Sequence, residues 1–327
     1  MKLASRSMVF IAAVVSAAIS SGTALAQTYP TKPIKLIVPF PAGGPADLFA
    51  RELSQGMAAD LKQPVLVENK GGVGGTLGVD NAAKATPDGY TLALNSGSAL
   101  VIQPYARKTM LYNADKDLAL ITLVVKVPEV LVVSPSVPGN TLREVVAYFK
   151  ANPGKKSYGS TGPGSITHLA AELFKSETGV DVLHIPYSGA APALTALLGG
   201  QIEMVVLDVP VLMAQIKAGK VKAIAVTSAT RASAIPDVPT MGESGFPKVN
   251  SDNWYGLVGA AAIPQPIQQR IRSAAVTTLN SAEVAKQFAS ISAVAIPSTP
   301  EEFRKFVVAE QAKWSGVIKA IGFQPEE

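Results

Sequence analysis

Residues 35–50 read KLIVPFPAGGPADLFA, and this stretch contains the pattern on which the fold depends. The run Lys35 to Phe40 predicts a buried β-strand. Apolar residues that recur every four positions from Phe49 to Leu61 predict a helix with one buried face. A turn of glycine, alanine and proline joins the two. A strand, a small-residue turn and an amphipathic helix in this order are typical of α/β proteins with largely parallel sheets.

The same order recurs along the rest of the chain. Further β-rich runs predict strands over 65–67, 90–94, 130–133, 157–160, 182–187, 204–207, 221–226 and 254–258. Capping boxes at Thr141 and Thr299 predict two helix starts, and two long helices are expected after the last strand. The sequence therefore predicts an α/β fold throughout.

The domain organisation is inferred from the length and from the missing linker. About 300 residues are enough for two domains, yet no polar linker separates two halves of the chain. We therefore expect two lobes between which the chain passes twice, near 123–128 and near 227–233. This division assigns residues 27–126 plus 228–327 to lobe 1 and residues 127–227 to lobe 2.

The first 26 residues predict a signal peptide. Lys2 and Arg6 precede an apolar run, and the segment ends in Ala24-Leu25-Ala26, which fits the small-residue pattern of a cleavage site. The apolar run is shorter than the roughly 20 residues that a membrane span needs. We expect cleavage near Ala26 and Gln27 and a periplasmic location. The chain has no cysteine, so we expect neither a lipid anchor at a cleavage-site cysteine nor a disulfide.

Composition argues against several classes of function. The formal net charge is +5 and falls by two to +3 once Lys2 and Arg6 are removed, and no basic run is present, so we expect no nucleic-acid partner. Residues 72–77 approach a dinucleotide-binding fingerprint, but Leu77 stands where its last glycine belongs. With two histidines and no cysteine, a zinc site would depend on carboxylates. We expect no cofactor, no metal and a monomer.

Three loops share one design, in which a β-rich run leads through small residues into a helix start. They comprise residues 40–47, 160–165 and 187–192, and none contains lysine or arginine. The first N–H groups of a helix lack intrahelical partners and lie at its positive end, so such loops suit an anion. One such loop argues little, because glycine-rich turns are common in α/β proteins. Three together predict a carboxylate held by backbone amides from both lobes when these close. On this basis Gly43→Val is expected to block binding while the fold stays intact.

Two other interpretations concern the polar residues near these loops. Ser165, His168 and Asp208 suggest a hydrolase triad, but no nucleophile elbow is present and Ser165 stands where a helix cap is expected. Asp47 is either a helix cap or a residue that orients its loop or a water. Asp208 either caps the helix that Pro210 opens or faces the cleft, where it takes an amino group or an ordered water.

The chain resembles the Bug-type substrate-binding receptors of tripartite tricarboxylate transporters. The resemblance runs through the mature chain in family order. It rests on stretches such as Val38-Pro39-Phe40-x-Ala42-Gly43-Gly44-x-x-Asp47, Pro87-Asp88-Gly89-Tyr90, Pro186-Tyr187-x-Gly189, Leu198-Gly199-Gly200-Gln201 and Pro236-Asp237-Val238-Pro239-Thr240.

This resemblance implies a two-lobed periplasmic-binding fold of type II, in which each lobe is a sheet flanked by helices and the ligand lies between the lobes. It implies that the loop at Phe40 to Asp47 holds one carboxylate, partly through ordered waters. Residues 160–168 and 187–191 would hold the ligand from the other lobe. The implied partner is an integral membrane transporter with one large and one small subunit. Ser188 stands where many relatives carry lysine, and the resemblance does not say how the wall around Asn95 to Ser98 and Asp208 selects the ligand.

The expected function is capture of a small organic carboxylate, either an amino acid, a di- or tricarboxylate or an aromatic acid, by a receptor that is not an enzyme. A sensor that delivers its ligand to a membrane signalling protein is the alternative, and an enzyme acting on a carboxylate is a further one. The predicted ligand-binding residues are Phe40, Ala42, Gly43, Gly44, Asp47, Ser96, Ser160, Thr161, Gly164, Ser165, His168, Tyr187, Gly189, Ala190 and Asp208.

Overall fold

A computed structural model of the chain describes residues 29–325. The predicted signal peptide, residues 1–26, lies outside the described residues. From Lys32 onward the chain forms one compact unit. None of the helices between residues 29 and 325 has the length and apolar character needed to cross a bilayer.

One mixed sheet forms the centre of the molecule. Its strands in the described chain are β1 (Ile34–Val38), β2 (Val65–Asn69), β3 (Thr91–Ser96), β4 (Leu118–Val133), β5 (Ser157–Ser160), β6 (Leu183–Pro186), β7 (Met204–Asp208), β8 (Lys222–Val226), β9 (Asp252–Ala260) and β10 (Val294–Ala295). The order along the sheet is β2-β1-β3-β9-β4-β7-β5-β6, and β8 and β10 also pair with β4. The outer pairs β1–β2, β1–β3, β5–β6 and β5–β7 are parallel. The pairs that involve β4 or β9 are antiparallel, so the expectation of largely parallel sheets holds only for the outer strands.

Helices cover the sheet. Within residues 29–325 they are α1 (Pro45–Leu61), α2 (Thr76–Ala83), α3 (Gln103–Ala106), α4 (Leu142–Lys150), α5 (Ile166–Thr178), α6 (Ala190–Leu198), α7 (Val209–Lys217), α8 (Gln265–Leu279), α9 (Ala282–Ser290) and α10 (Pro300–Ala320). The predicted apolar face of α1 is buried, and both predicted capping boxes, at Thr141 and Thr299, are present. Three helices follow β9 instead of two, because the side chain of Ser281 accepts a hydrogen bond from the N–H of Val284 and starts a new helix after α8 ends.

Strand β4 is longer than the sequence predicted and connects the two halves of the sheet. Its residues 118–128 pair with β9, and its residues 129–133 pair with β7 and β8. Pro128 ends the pairing with β9, and Glu129 begins the pairing with β7; proline has no N–H to donate to a ladder. The chain returns beside this point, where Thr227 donates its N–H to the carbonyl of Glu129 at 2.9 Å and accepts the N–H of Ser251 at 3.1 Å.

Separate apolar clusters fill the two halves. In one half, Trp254, Phe303 and Trp314 pack beneath β3, β4 and β9. In the other half, a cluster around Phe149 and Phe174 lies on one face of the sheet, and a second cluster packs α6 and α7 on the opposite face. The first cluster also contains Ile166 and Leu169 of α5, so apolar packing joins the two halves as well as filling each of them.

Candidate functional site

A cavity lies where β1, β3 and β7 end and β9 begins. The free space among its lining atoms is about 370 Å³, and this figure includes open solvent at the mouth. Its lining is mostly small and neutral and consists of Phe40, Gly44, Pro45, Ala46, Ser96, Ser98, Thr161, Ile166, Thr167, Ala190, Leu207, Asp208, Asn253 and Tyr255. The lining thus combines helix starts, an acidic group and small hydroxyl side chains.

Three helices begin at this cavity. Pro45 and Ala46 are the first residues of α1, Ile166 and Thr167 the first of α5, and Ala190 the first of α6. Gly44 and Gly189, which precede α1 and α6, have no side chain that could cap the helix. The first-turn N–H groups of α1 and α6 therefore remain available, and the helix dipoles add positive potential. At the start of α5, Ser98 and Ser165 already accept the N–H groups of Ile166 and His168. Such an arrangement can bind an anion without a cationic side chain.

Asp47 holds the first loop in place and does not line the cavity. Its carboxylate accepts the N–H of Gly43 at 3.1 Å, the Arg51 Nε–H at 3.0 Å and the Asn69 Nδ2–H at 3.1 Å. Burial raises the pKa of Asp47, but these hydrogen bonds outweigh it and hold the pKa below its usual value. The residue lies in the first turn of α1, whose N-cap is Gly44, so its position favours the loop-orienting role over the cap.

Ala42 and Gly43 lie at the exposed edge of the same loop. Gly43 has φ +81°, and a Cβ added there would meet the Cβ of Ala191 only at 3.9 Å. A side chain at position 43 would therefore strain the backbone. The expectation that Gly43→Val blocks binding stays a prediction, and the strain at φ +81° adds a cost to the stability of the fold.

The second loop is built from its own polar groups, and only Thr161 of the predicted residues in it lines the cavity. The Thr161 N–H donates to Thr167 Oγ1 at 2.9 Å, and the Gly164 N–H donates to His168 Nδ1 at 3.1 Å. Ser160 Oγ lies 2.6 Å from Nε2 of His184. Ser160 and His168 thus hold the loop that presents Thr161.

The two histidines lie side by side beneath this loop. The rings of His168 and His184 stack with their centroids 3.7 Å apart. Burial, followed by repulsion from a protonated His184 and from Lys175, lowers the pKa of His168 to about 3, and burial lowers the pKa of His184 to about 4. Both rings are therefore neutral at physiological pH.

The hydrolase triad is not assembled among these residues. Ser165 Oγ lies 3.0 Å from Thr167 Oγ1 and accepts the N–H of His168 at 3.3 Å, as a helix cap does. The Nδ1 atom of the His168 ring is occupied by the Gly164 N–H, and Asp208 bonds to residues of β9. Within residues 29–325, no group of three or more His, Cys, Asp or Glu side chains is placed to hold a metal ion.

The third loop brings the two halves of the sheet together. Ala190 lines the cavity, whereas the N–H of Tyr187 donates to the carbonyl of Ser160 at 3.1 Å and ties the loop to β5. A Cβ added to Gly189 would lie 2.8 Å from Cδ of Pro41, in the first loop. The close approach of these two loops requires glycine at position 189.

Asp208 faces the cavity together with two residues that the sequence prediction missed. Asn253 Nδ2–H donates to both Asp208 carboxylate oxygens at 3.0 Å, and the Tyr255 hydroxyl donates to Oδ2 at 2.6 Å. The side chain of Asp208 makes no cap bond to α7, so the cap interpretation is wrong. Burial raises the pKa of Asp208 to about 6, although the hydrogen bonds from Tyr255 and Asn253 lower it. Residues 253 and 255 are polar and alternate along an otherwise apolar strand, so their side chains lie on the same face of the sheet. This pattern could have predicted the cluster.

The end of β3 contributes two further hydroxyl groups. Ser96 is buried, and its Oγ has no hydrogen-bond partner in the described chain. Ser98, also missed by the prediction, accepts the N–H of Ile166 at 3.0 Å and thereby joins the end of β3 to the start of α5. In all, six predicted residues line the cavity: Phe40, Gly44, Ser96, Thr161, Ala190 and Asp208. The other nine lie in or beside the three loops.

Known proteins of one receptor family match the chain over most of its length. The model of the tripartite tricarboxylate transporter family receptor matches residues 49–323. The chain belongs to this family. Protein BugT of Bordetella pertussis is 36% identical over 298 residues, which cover 91% of each chain.

Solved structures of this receptor family are similar over most of their length. The periplasmic binding protein BugD is 34% identical with a TM-score of 0.88, and the match covers 91% of this chain and all of that one. MatC from Rhodopseudomonas palustris with bound malate is 29% identical with a TM-score of 0.85, covering 89% of this chain and all of that one. The chain is therefore a periplasmic solute-binding receptor with the two-lobed fold of Bug-type proteins.

Proposed function

We propose that this receptor captures a small organic carboxylate in the cavity between its lobes and delivers it to a two-subunit membrane transporter of the tripartite tricarboxylate type. The observation that carries the proposal is the convergence of three helix starts, from α1, α5 and α6, on one cavity whose lining has no cationic side chain. The malate bound to MatC supports a carboxylate as the class of ligand.

We further propose that the lobes comprise residues 27–126 plus 228–327 and residues 127–227. The change of partner in β4 between Pro128 and Glu129 supports this division, as do the hydrogen bonds of Thr227 to Glu129 and Ser251. In this division, α1 lies in lobe 1 and α5 and α6 lie in lobe 2. A carboxylate then collects N–H donors from both lobes only when these are closed, and the closed form is what a transporter can recognise.

We propose that the mature receptor is a periplasmic monomer, without cofactor and without catalytic activity. The neutral, internally bonded histidines and the separate partners of Ser165 and Asp208 support the last point. Delivery to the transporter is tested by uptake of the identified ligand into cells that lack this receptor, which a plasmid-borne copy should restore.

Binding is tested by a thermal-shift screen of carboxylates followed by titration calorimetry. A ligand present at 100 times its Kd should add about 2.7 kcal/mol to the free energy of unfolding. The decisive variant is Ala190→Pro, because proline suits the first position of a helix and replaces the backbone N–H of this cavity-lining residue with a ring carbon. The extended backbone of Gly189 before it accepts a following proline.

Ala190→Pro should weaken carboxylate binding about tenfold or more, the equivalent of one charge-assisted hydrogen bond. Ala190→Ser keeps the N–H and is the matched control. Equal affinities in these two variants would exclude backbone amides of α6 as ligands, and no shift with any carboxylate would contradict the proposed function itself.

A further inference from the structure

The cavity that we propose as the carboxylate site contains one acidic residue and no basic one. Of its lining residues, Asp208 is the single Asp or Glu, and none is Lys, Arg or His. Asp208 is 1% exposed. A buried carboxylate in a cavity that otherwise presents N–H donors gives the cavity two chemically opposite walls.

The partners of Asp208 are neutral. Asn253 and Tyr255 donate hydrogen bonds to its two oxygens, and no described Lys, Arg or His forms an ion pair with it. Glu129, which lies opposite Asp208 on β4, is a second acid and adds no compensation. The negative charge of Asp208 is thus hydrogen-bonded but not neutralised, and buried charges without a counter-charge are strongly disfavoured.

Ser96 provides an independent sign that a ligand group is received at this wall. It lies opposite Tyr255 in the β3–β9 register, it lines the cavity, and its buried Oγ has no partner among the described residues. Buried hydroxyl groups are nearly always hydrogen-bonded. A polar group of the ligand beside Tyr255 and Asp208 would satisfy it.

We propose that the ligand is an aminocarboxylate, whose carboxylate is bound at the helix starts and whose ammonium group lies against Asp208 and Ser96. This inference rests on the proposed function, because it assumes that the cavity binds a carboxylate. The ammonium supplies the missing counter-charge and donates to the remaining lone pairs of Asp208. A dicarboxylate would instead bring its second carboxylate to a wall that is already negative and holds no cation, so the selectivity differs from that of the malate-binding relative.

The test compares ligands of equal length that differ only at the distal group. Wild-type protein is titrated at pH 7.5 with 4-aminobutanoate and with glutarate, and with the shorter pair 3-aminopropanoate and succinate; glycine, alanine and malate extend the panel. We expect at least one aminocarboxylate to bind ten times or more tightly than its matched dicarboxylate. Tighter binding of the dicarboxylate in both pairs overturns the proposal. Binding of no carboxylate at all contradicts the proposed function, and this inference falls with it.

The Asp208→Asn variant tests the role of the charge, and Asp252→Asn is its matched control. Asp252 is the neighbouring acid at the start of β9, pairs with Lys126 at 2.9 Å, and does not line the cavity. Asp208→Asn should lower affinity for the aminocarboxylate at least tenfold and should not lower affinity for the dicarboxylate, whereas Asp252→Asn should change neither. Unchanged aminocarboxylate affinity in Asp208→Asn overturns the proposal.

Ser96→Ala keeps the test decisive if Asp208→Asn fails to fold. It removes one hydroxyl group whose oxygen makes no internal hydrogen bond, so the fold should persist. The variant should bind the aminocarboxylate about three to ten times more weakly, in line with the loss of one hydrogen bond. Wild-type affinity in this variant, together with no preference between the matched ligands, would refute the assignment.

Discussion

Glu129 on β4 and Asp208 on β7 lie directly opposite each other, and neither side chain is more than 1% exposed. Directly opposed residues of paired strands lie on the same face, where like charges repel. Burial, with the charge of Asp208 as the next cause, raises the pKa of Glu129 to about 8. Glu129 is therefore protonated at neutral pH, and the single negative charge of the pair resides on Asp208, beside the cavity.

The first prediction concerns the pH dependence of stability. The folded-state pKa of Glu129 is raised above its ordinary value of 4.5, so the folded protein retains a proton that the unfolded chain releases. This group therefore lowers the free energy of unfolding as pH rises from about 4.5 to about 8. Glu129→Gln lacks this titration and should gain stability relative to wild type between pH 4.5 and pH 9. The gain should exceed about 1.4 kcal/mol, the equivalent of one pKa unit.

Urea unfolding of both proteins at pH 4.5, 6.5 and 9 measures this difference. The titrating groups that do not interact with Glu129 are common to the two chains, so their contributions cancel in the comparison. If the free energies of unfolding of the two proteins differed by the same amount at all three pH values, Glu129 would be ionised in the folded protein. The negative charge of the Glu129–Asp208 pair could then no longer be assigned to Asp208 alone.

The second prediction concerns Asp47, which acts on the site through its loop. Asp47→Asn should lower the free energy of unfolding at pH 7 by about 1–2 kcal/mol, because the N–H of Gly43 and the amide of Asn69 lose an ionised acceptor. Arg51→Ala should cost less than about 1 kcal/mol, because the arginine side chain is 59% exposed and exposed ion pairs contribute little.

The contribution of Asp47 to stability depends on pH. Its folded-state pKa lies below the ordinary value of 3.8, so its contribution is present above that value and is lost as pH falls through the folded-state pKa. The difference between wild type and Asp47→Asn in chemical unfolding should therefore shrink below pH 3.8. A constant difference down to pH 2.5 would contradict the assignment of Asp47 as an ionised acceptor.

Local periodicity was enough to predict most of the elements. Leu53 and Met57 repeat at helical spacing and are buried in α1, and Thr141 begins α4 through the predicted capping box. The length of β4 was missed because Lys126 and Pro128 interrupt its apolar run at the point where the strand changes partners. That change of partner depends on β9, which is distant in sequence, so no local pattern reports it.

The site was less predictable than the fold. Ser160 and Ser165 have the composition of ligand-binding residues, yet their hydroxyl groups are used inside the loop. Asn253 and Tyr255 were missed because their partner, Asp208, belongs to a strand of the other half of the sheet. A small polar residue next to glycine serves equally well as a loop support or as a ligand contact, and only the three-dimensional arrangement separates these roles.

The third prediction concerns lobe closure at Gly189. A Cβ at this position would lie 2.8 Å from Cδ of Pro41. This atom is part of a rigid ring, and in the proposed division Pro41 belongs to the other lobe. The backbone of Gly189 is extended and accepts any residue, so Gly189→Ala should fold normally but close poorly. Its ligand affinity should fall at least tenfold, about 1.4 kcal/mol, while the Tm without ligand stays near that of wild type.

Titration calorimetry and thermal unfolding without ligand measure the two parts of this prediction. Gly242→Ala is the matched control, because its added Cβ would meet no atom closer than 3.6 Å. Wild-type affinity in Gly189→Ala would mean that the contact between the two loops is not needed for the bound state.

The last prediction concerns Ser98, whose Oγ accepts the N–H of Ile166 at 3.0 Å and so links the end of β3 to the start of α5. In Ser98→Ala, the closed protein holds a buried N–H without an acceptor, which costs about 1–3 kcal/mol. In the open protein, water can reach this N–H and the cost disappears. The variant should therefore dissociate its ligand faster, by about fivefold or more, with little change in the association rate or in the Tm without ligand.

Stopped-flow fluorescence with competitor ligand measures both rates. Ser54→Ala is the control, because the Ser54 hydroxyl bonds within α1 alone, to the carbonyl of Arg51 at 2.8 Å. An unchanged dissociation rate in Ser98→Ala would show that this hydrogen bond contributes equally to the open and to the closed protein.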